Sequence, residues 1–439
     1  MMVRSLFLTF AALASLASAI RAEPNWPLFR GPNAGVSEEK GLPTKWSTKE
    51  NVAWSVEIPG RGWSSPVVWG KKLFLTTVTR EGQYEEPRKG LYFGGERKAA
   101  AEVDHHWLVL CLDLDTGKTL WQKEAAKGKP PSGIHIKNSY ASETPVTDGQ
   151  RVYAYFGNQG VYCHDFDGKS IWSKKFDPVP TRFSWGTAAS PALYKDRLFI
   201  VNDNEKESFL ICLNAKTGEQ IWRIDRDEKS NWSTPFVWEH DGRVEIVTAG
   251  TKRVRSYDLD GKVLWELTGM SAITIPTPFT RHGLLYVGSG YVMDKSKPFY
   301  AIRPGAKGDI TPVEGRSSND FVAWSSKTIA PYNPTPLVYG DYLYVLYDMG
   351  FLSCFEAKTG KKVYDRERLN GQFTVSPWAY DGKVFCLNED GETTVVQAGP
   401  EFKILHRNKL DEMCMACPAV AGKSLLIRTL TKLYRIEQK

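Results

Sequence analysis

Three short stretches of this 439-residue chain carry residue types whose spacing could do chemistry. "DEMCMACPAV" sets Cys414 and Cys417 as a C-x-x-C, which suits a redox pair, half of a zinc site or a haem anchor. No His follows Cys417, so haem attachment fails, and no second C-x-x-C or H-x-x-x-H completes a zinc site. His105 and His106 are adjacent, and neighbours on a strand point to opposite faces, so no shared metal is expected. "AGKS" (421–424) imitates the end of a phosphate loop, but that motif's first glycine would fall at Cys417. Neither G-x-S-x-G nor H-E-x-x-H occurs.

What the chain offers instead is aromatic. "GRGWSSP", "NSYASETP", "TRFSWGTAASP", "SNWSTP", "SAITIPTP", "APYNPTP", "GQFTVSP" and "MCMACP" each lead into a proline. They carry Trp63, Tyr140, Trp185, Trp232, Tyr332 and Phe373, with Arg61, Asn138, Arg182, Asn231 and Asn333 close by. Rings interleaved with polar groups suit a sugar, a planar ring or a peptide strand. The ligand is expected against Arg61, Trp63, Asn138, Tyr140, Arg182, Trp185, Asn231, Trp232, Tyr332 and Asn333. No catalytic residue and no metal ligand is expected.

These residues must be positioned by whatever the prolines punctuate. The steps are Ser65-Pro66, Thr144-Pro145, Ser190-Pro191, Thr234-Pro235, Thr277-Pro278, Thr335-Pro336, Ser376-Pro377 and Cys417-Pro418, mostly a forty-odd-residue period apart, as in propellers and solenoids. After each proline come a turn ("WGKK", "TDGQ", "YDGK"), an alternating strand ("LFLTT", "VYAYF"), a third strand and a second turn ("LDLDTGK", "HDFDGK", "LNAKTGE"). Four residues past that turn's glycine stands Trp121, Trp172, Trp222, Trp265 or Tyr364; copy five reaches Trp324 later, and copy seven has His406. Four short antiparallel strands per copy read as a propeller blade, and the ring as an interblade plug. Copy eight stops before its Trp strand, while "ENVAWSVEIPG" (50–60) supplies one with Trp54. The expectation is an all-β, eight-bladed propeller of 32 strands, its last blade closed by the strand at 51–59, which leaves no exposed edge at the seam.

The turn-plus-Trp unit resembles the repeat of pyrroloquinoline-quinone (PQQ) dehydrogenases and of the outer-membrane assembly scaffold BamB. "NWPLFRGPN", "GRGWSSPVVWG", "KGLYFGGER", "IHIKNSYASETPV", "SNWSTPFVWE" and "RPGAKGDIT" are similar to exported PQQ-like propellers of planctomycete-type bacteria. For the enzymes, the resemblance implies PQQ beside an adjacent Cys-Cys disulfide, a Trp platform, and calcium held by Glu and Asn near a catalytic Asp. This sequence has no adjacent Cys pair. Glu143, Asn138, Asp203 and Trp185 can be arranged into such a site on paper, but their spacing does not demand it, and acidic and amide residues here also suit tight turns such as "NDNE". A shared fold does not carry function.

The remaining features set bounds. Arg4, the apolar run Leu6–Ala19 and the small residues before Ala22 read as a signal peptide (1–22), followed by a cap segment (23–50) and a single propeller (51–439). The formal net charge of +7 is interspersed rather than clustered, so no nucleic-acid partner is expected. No later run is long enough to span a membrane. Cys111, Cys163, Cys212 and Cys354 recur at one strand position in four copies, where they act as buried small hydrophobes rather than partners. Inserts at 77–107 and 303–324 are candidate functional loops. Together these features predict an exported, monomeric, non-catalytic binding or scaffold protein for a protein or glycan partner, with no cofactor. The alternative is a PQQ- and calcium-dependent alcohol or sugar dehydrogenase.

Overall fold

The computed structural model describes residues 25–91 and 101–438, so the expected signal peptide (1–22) lies outside the described residues, as do residues 92–100 of the first insert. Eight sheets form eight blades, each built on four antiparallel strands that follow sequence order in every blade but the last. In blade one, Val67–Trp69, Lys72–Arg80, His105–Asp113 and Thr119–Gly128 run from axis to rim. Blade eight takes Ala419–Ala421, Ser424–Arg428 and Lys432–Glu437 from the C-terminus, and its rim strand is Val52–Glu57, paired antiparallel with Lys432–Glu437. The two ends of the chain therefore close the ring in one sheet.

One strand exceeds the expected 32. Gly308–Asp309, from the 303–324 insert, pairs in parallel with Val263–Thr268 on the rim of blade four. The first insert leaves blade one between its second and third strands, and the second leaves blade five between its third and fourth.

The apolar core lies between blades, because each strand alternates its side chains and both sheet faces meet a neighbour. Phe74, Val109 and Cys111 of blade one meet Val152, Ala154 and Tyr162 of blade two, and the pattern continues around the ring. At the rim, each indole reaches into the next blade. Trp54, Trp121, Trp172, Trp222 and Trp324 donate Nε1–H to the carbonyls of Leu114, Phe166, Ala215, Leu259 and Ala357, at 2.9–3.0 Å. Each ring lies on that blade's turn glycine. A Cβ added to Gly218 would stand 2.5 Å from the Trp172 ring, and φ there is +76°, so two separate constraints require glycine. Trp265 differs, because blade five has the insert in place of that turn. Its indole donates to the buried Glu245 at 2.7 Å.

A second ring of bonds runs near the axis. In six of the eight blades the backbone N–H before the proline donates to the side chain of the matching residue in the next blade: Ser65 to Thr144, Thr144 to Ser190, Ser190 to Thr234, Thr277 to Thr335 and Thr335 to Ser376, all at 2.9–3.0 Å. Ser376 donates to the Cys417 sulfur at 3.4 Å. This explains why hydroxyl residues recur before the prolines.

Residues 26–36 cross beneath the hydroxyl ring. Trp26 pairs with Val68, Thr147 donates to Pro27, Arg30 to Pro336, and Ala379 to Gly35, so residues 26–36 reach from blades one and two to blades six and seven. The chain then runs outward along blade seven, where Asn408 holds Thr44 and Trp46, and enters the rim of blade eight. All seven cysteines are unpaired and buried. Cys111, Cys163 and Cys212 sit directly across from Trp121, Trp172 and Trp222, and burial pushes these thiols up to about 12.

Two measurements check the plug and the closure. Trp172→Ala should cost about 3–5 kcal/mol in denaturant unfolding. Gly218→Ala should cost clearly more than Gly242→Ala, since both have positive φ but only Gly218 meets an indole; equal costs would refute the steric account. Deleting 52–57 should abolish cooperative thermal unfolding rather than trim it.

Candidate functional site

The segments that lead into the prolines emerge on one face and enclose a cavity of about 930 Å³ on the axis. All eight ring residues, Ser65 through Cys417, contribute to its wall, and Phe29 of the crossing segment reaches it from below. The channel is therefore blind, open on the mouth face and blocked beneath the ring.

Of the ten residues expected at the mouth, Trp63, Asn138, Trp185, Trp232, Tyr332 and Asn333 line this cavity. Trp63 and Trp232 are buried and double as loop ties, their indoles donating to the carbonyls of Lys137 at 2.8 Å and Gly186 at 2.7 Å. Trp185 packs on Trp232 with ring centroids 5.7 Å apart, and its buried Nε1–H finds no acceptor among the described residues. Asn138 is saturated, since Nδ2 donates to Trp185 and Thr187 while Oδ1 accepts from Ser139 and Ser142. Asn333 donates to Asp348.

The other four turn elsewhere. Arg61 pairs with Glu86 at 2.9 Å and stacks over Tyr84. Tyr140 packs beside His105 and Trp107 and donates to Ser132. Asn231 ties Lys229 and Thr251 to Thr274. Arg182 lies over the rings of Phe183 and Tyr291, both of which do line the cavity. Phe373 is buried away from the wall.

Several contributors were not legible from aromatic spacing. Glu389, only 2% exposed, accepts from Lys137 Nζ at 2.8 Å, Thr374 Oγ1 at 2.6 Å and the backbone N–H of Gly90 at 2.6 Å. It thereby ties the blade-one insert to blade seven, and Leu91 joins the cluster of Trp185, Trp232, Tyr291 and Tyr332. Asp348 accepts from the N–H groups of Tyr332 and Asn333, each at 3.0 Å, yet burial still lifts its carboxyl to about 6. Asp203, Asp348 and Glu389 all stand just past the second strand of a blade. An acidic residue at that boundary was the available signal.

The metal and quinone possibilities can be tested against these bonds. Asp203 is held by Arg226 through Nε at 2.8 Å and Nη2 at 3.1 Å. Glu143 takes the Thr187 hydroxyl at 2.6 Å and lies behind the wall, not on it. With Asn138 saturated, the Glu, Asn and Asp that a calcium-held quinone would draw on do not converge. No group of three His, Cys, Asp or Glu is placed to hold a metal among the described residues. His105 bonds Val103 and His106 bonds Glu124, on opposite sides of their strand. These residues do not fit a calcium-bound PQQ.

Fold and site define an eight-bladed propeller built from Trp-docked blades around a blind axial cavity. The family model described as outer membrane protein assembly factor BamB matches residues 106–182 and 167–319. That match, together with the eight-bladed fold, supports a PQQ-like β-propeller family. It is similar in fold to BamB from Moraxella catarrhalis (TM-score 0.54, 12% identity, covering 83% of this chain and 97% of that one). It is similar likewise to the computationally designed Ika8 protein (TM-score 0.52, 12% identity, 86% and 100% covered). Among curated proteins it is 23% identical over 204 residues to the dehydrogenase subunit of a quinone alcohol dehydrogenase from Acetobacter aceti, and 24% identical over 182 residues to that of Gluconobacter oxydans. Those alignments span 44% and 39% of this chain but only 26% and 23% of the relatives.

Glu143 generates a pH prediction. Burial raises it from 4.5 to about 7, so the folded state holds a proton that the unfolded chain has released. Stability is full below about pH 4.5 and falls as pH rises through 7, by up to ~3 kcal/mol. Glu143→Gln should flatten that fall in melting temperature between pH 4.5 and 7.5, while keeping the Thr187 bond.

Proposed function

We propose that this protein is an exported, non-catalytic binding or scaffold module that takes a protein or glycan ligand at its axial mouth. One observation carries the reading: a blind cavity walled by aromatic rings, whose neighbouring carboxylates Glu143, Asp348 and Glu389 are each engaged by donors of the chain itself. Such a wall recognises shape and apolar surface, with these three carboxylates taken up by the chain's own donors. The BamB-like architecture supports a scaffold. The leader-like 1–22 sequence supports export, with 23–50 as a plug segment and 51–439 as one propeller acting as a monomer. Among the described residues no helix is long and apolar enough to cross a membrane.

The competing reading, a PQQ- and calcium-dependent alcohol or sugar dehydrogenase, draws on the curated relatives alone. Calorimetric titration with PQQ, with and without calcium, separates the two. The expected result is no stoichiometric binding and no dye-linked alcohol or sugar oxidation; tight binding with turnover would install the dehydrogenase. Trp63→Ala and Trp232→Ala should each lose about 3–5 kcal/mol, because those indoles are buried and tie loops. Trp185→Ala should keep most of the stability and lose partner capture from the exported fraction. Loss of both together would mark Trp185 as core.

A further inference from the structure

The cavity already receives a polypeptide, its own. Residues 81–91 leave blade one without regular structure and cross the mouth toward blade seven. There, Glu389 accepts the Gly90 N–H at 2.6 Å, Lys137 donates to the Gly90 carbonyl at 3.1 Å, and Lys89 pairs with Asp390. One buried ion pair thus grips both polar groups of a single residue's backbone, and the adjoining Leu91 side chain lies among Trp185, Trp232, Tyr291 and Tyr332. This is how an extended peptide is held, by its main chain at the edge and by an apolar anchor within. About 930 Å³ remains beside the strap.

Three further features describe what that space accepts. Phe183, Val292, Met293 and Met349 stand 49%, 48%, 59% and 50% exposed along the cavity rim. An apolar collar with methionines, continuing outside the pocket, suits a chain that passes over the edge. Polar groups of the wall lie mainly in the ring of hydroxyls on its floor, with His135, Lys137 and Asn138 above them. Charge is uneven as well. Lys137 is neutralised by Glu389 and Arg61 by Glu86, whereas Arg182 stacks on two wall-lining rings with no carboxylate partner among the described residues.

Resting on the proposed mouth-binding function, we infer that the ligand is an extended segment of a partner protein. It places aromatic or long aliphatic side chains beside Leu91 and an acidic residue against Arg182, which selects charge.

Three fluorescein-labelled eight-residue peptides test this, sharing a Trp-Leu-Phe core flanked by Glu, Ser or Lys, with cello- and chito-oligosaccharides as a separate arm. In fluorescence polarisation the Glu-flanked peptide should bind at least tenfold more tightly than the Lys-flanked one. Arg182→Glu should reverse that order. Circular dichroism on the variant separates lost binding from lost fold. Peptide binding without charge order, or an order that Arg182→Glu leaves unchanged, overturns the inference. Oligosaccharide binding without peptide binding overturns it too, while leaving a mouth ligand intact. If neither class binds the folded protein, the mouth-binding reading itself fails.

Discussion

Everything in this molecule depends on an indole laid flat on a glycine in the next blade. A four-stranded blade has two apolar faces and cannot bury either alone, so it needs a neighbour at a set distance and angle. On five of the eight rim strands a Trp supplies both. Its area fills the gap between the sheets, its Nε1–H engages a turn carbonyl of the neighbour, and the turn must be glycine to admit the ring. Because the contact is repeated head to tail, it fixes the angle between blades, and eight such angles close the circle. Where the contact is interrupted, the structure substitutes. Trp265 turns to Glu245, and the 308–309 strand covers the rim that the missing turn would have covered.

The axial site is a consequence of that closure. Once the innermost strands are brought into a ring, the residues before the prolines face one another. The backbone N–H of most of them finds the side chain of the next, and a floor of linked polar groups results. The crossing segment seals this floor from below with Phe29 and with Arg30, whose guanidinium is driven down to about 10 by burial. Mouth loops then have only one space to line. Their aromatic residues divide between two tasks, as Trp63 and Trp232 hold loops in place while Trp185 packs on Trp232 in the wall.

Local pattern carried the architecture because propeller signals are local. Pro-led strands, Asp-Gly and Thr-Gly turns and the Trp four residues past each turn glycine are visible in a window of forty residues, and they repeat. The missing rim strand of copy eight and the surplus one at 51–59 were legible by the same arithmetic. The extra 308–309 strand was not, since two residues carry no periodicity and its pairing comes only from where the insert folds back. The path of residues 26–36 beneath the ring was equally hidden, because its partners, Val68, Thr147, Pro336 and Ala379, lie in four different blades.

The sequence by itself determined an all-β ring of eight blades, the inward placement of the pre-proline segments and the isolation of Cys111, Cys163, Cys212 and Cys354 from one another. These follow from alternation, turn chemistry and repeat length, which act between near neighbours. Tertiary structure alone decided which mouth residues share a cavity. Arg61, Tyr140 and Asn231 have the same local setting as Trp63, Asn138 and Trp232, yet each is drawn off by a partner: Glu86 on the insert, Ser132 in the preceding loop, and Thr274 in the next blade. The tie of Glu389 to Gly90 joins residues 299 positions apart, a separation at which no pattern in the chain can report a contact. Side-chain direction at a ring's centre is set by the competition of all eight blades for one axis, and that competition exists only after the ring has closed.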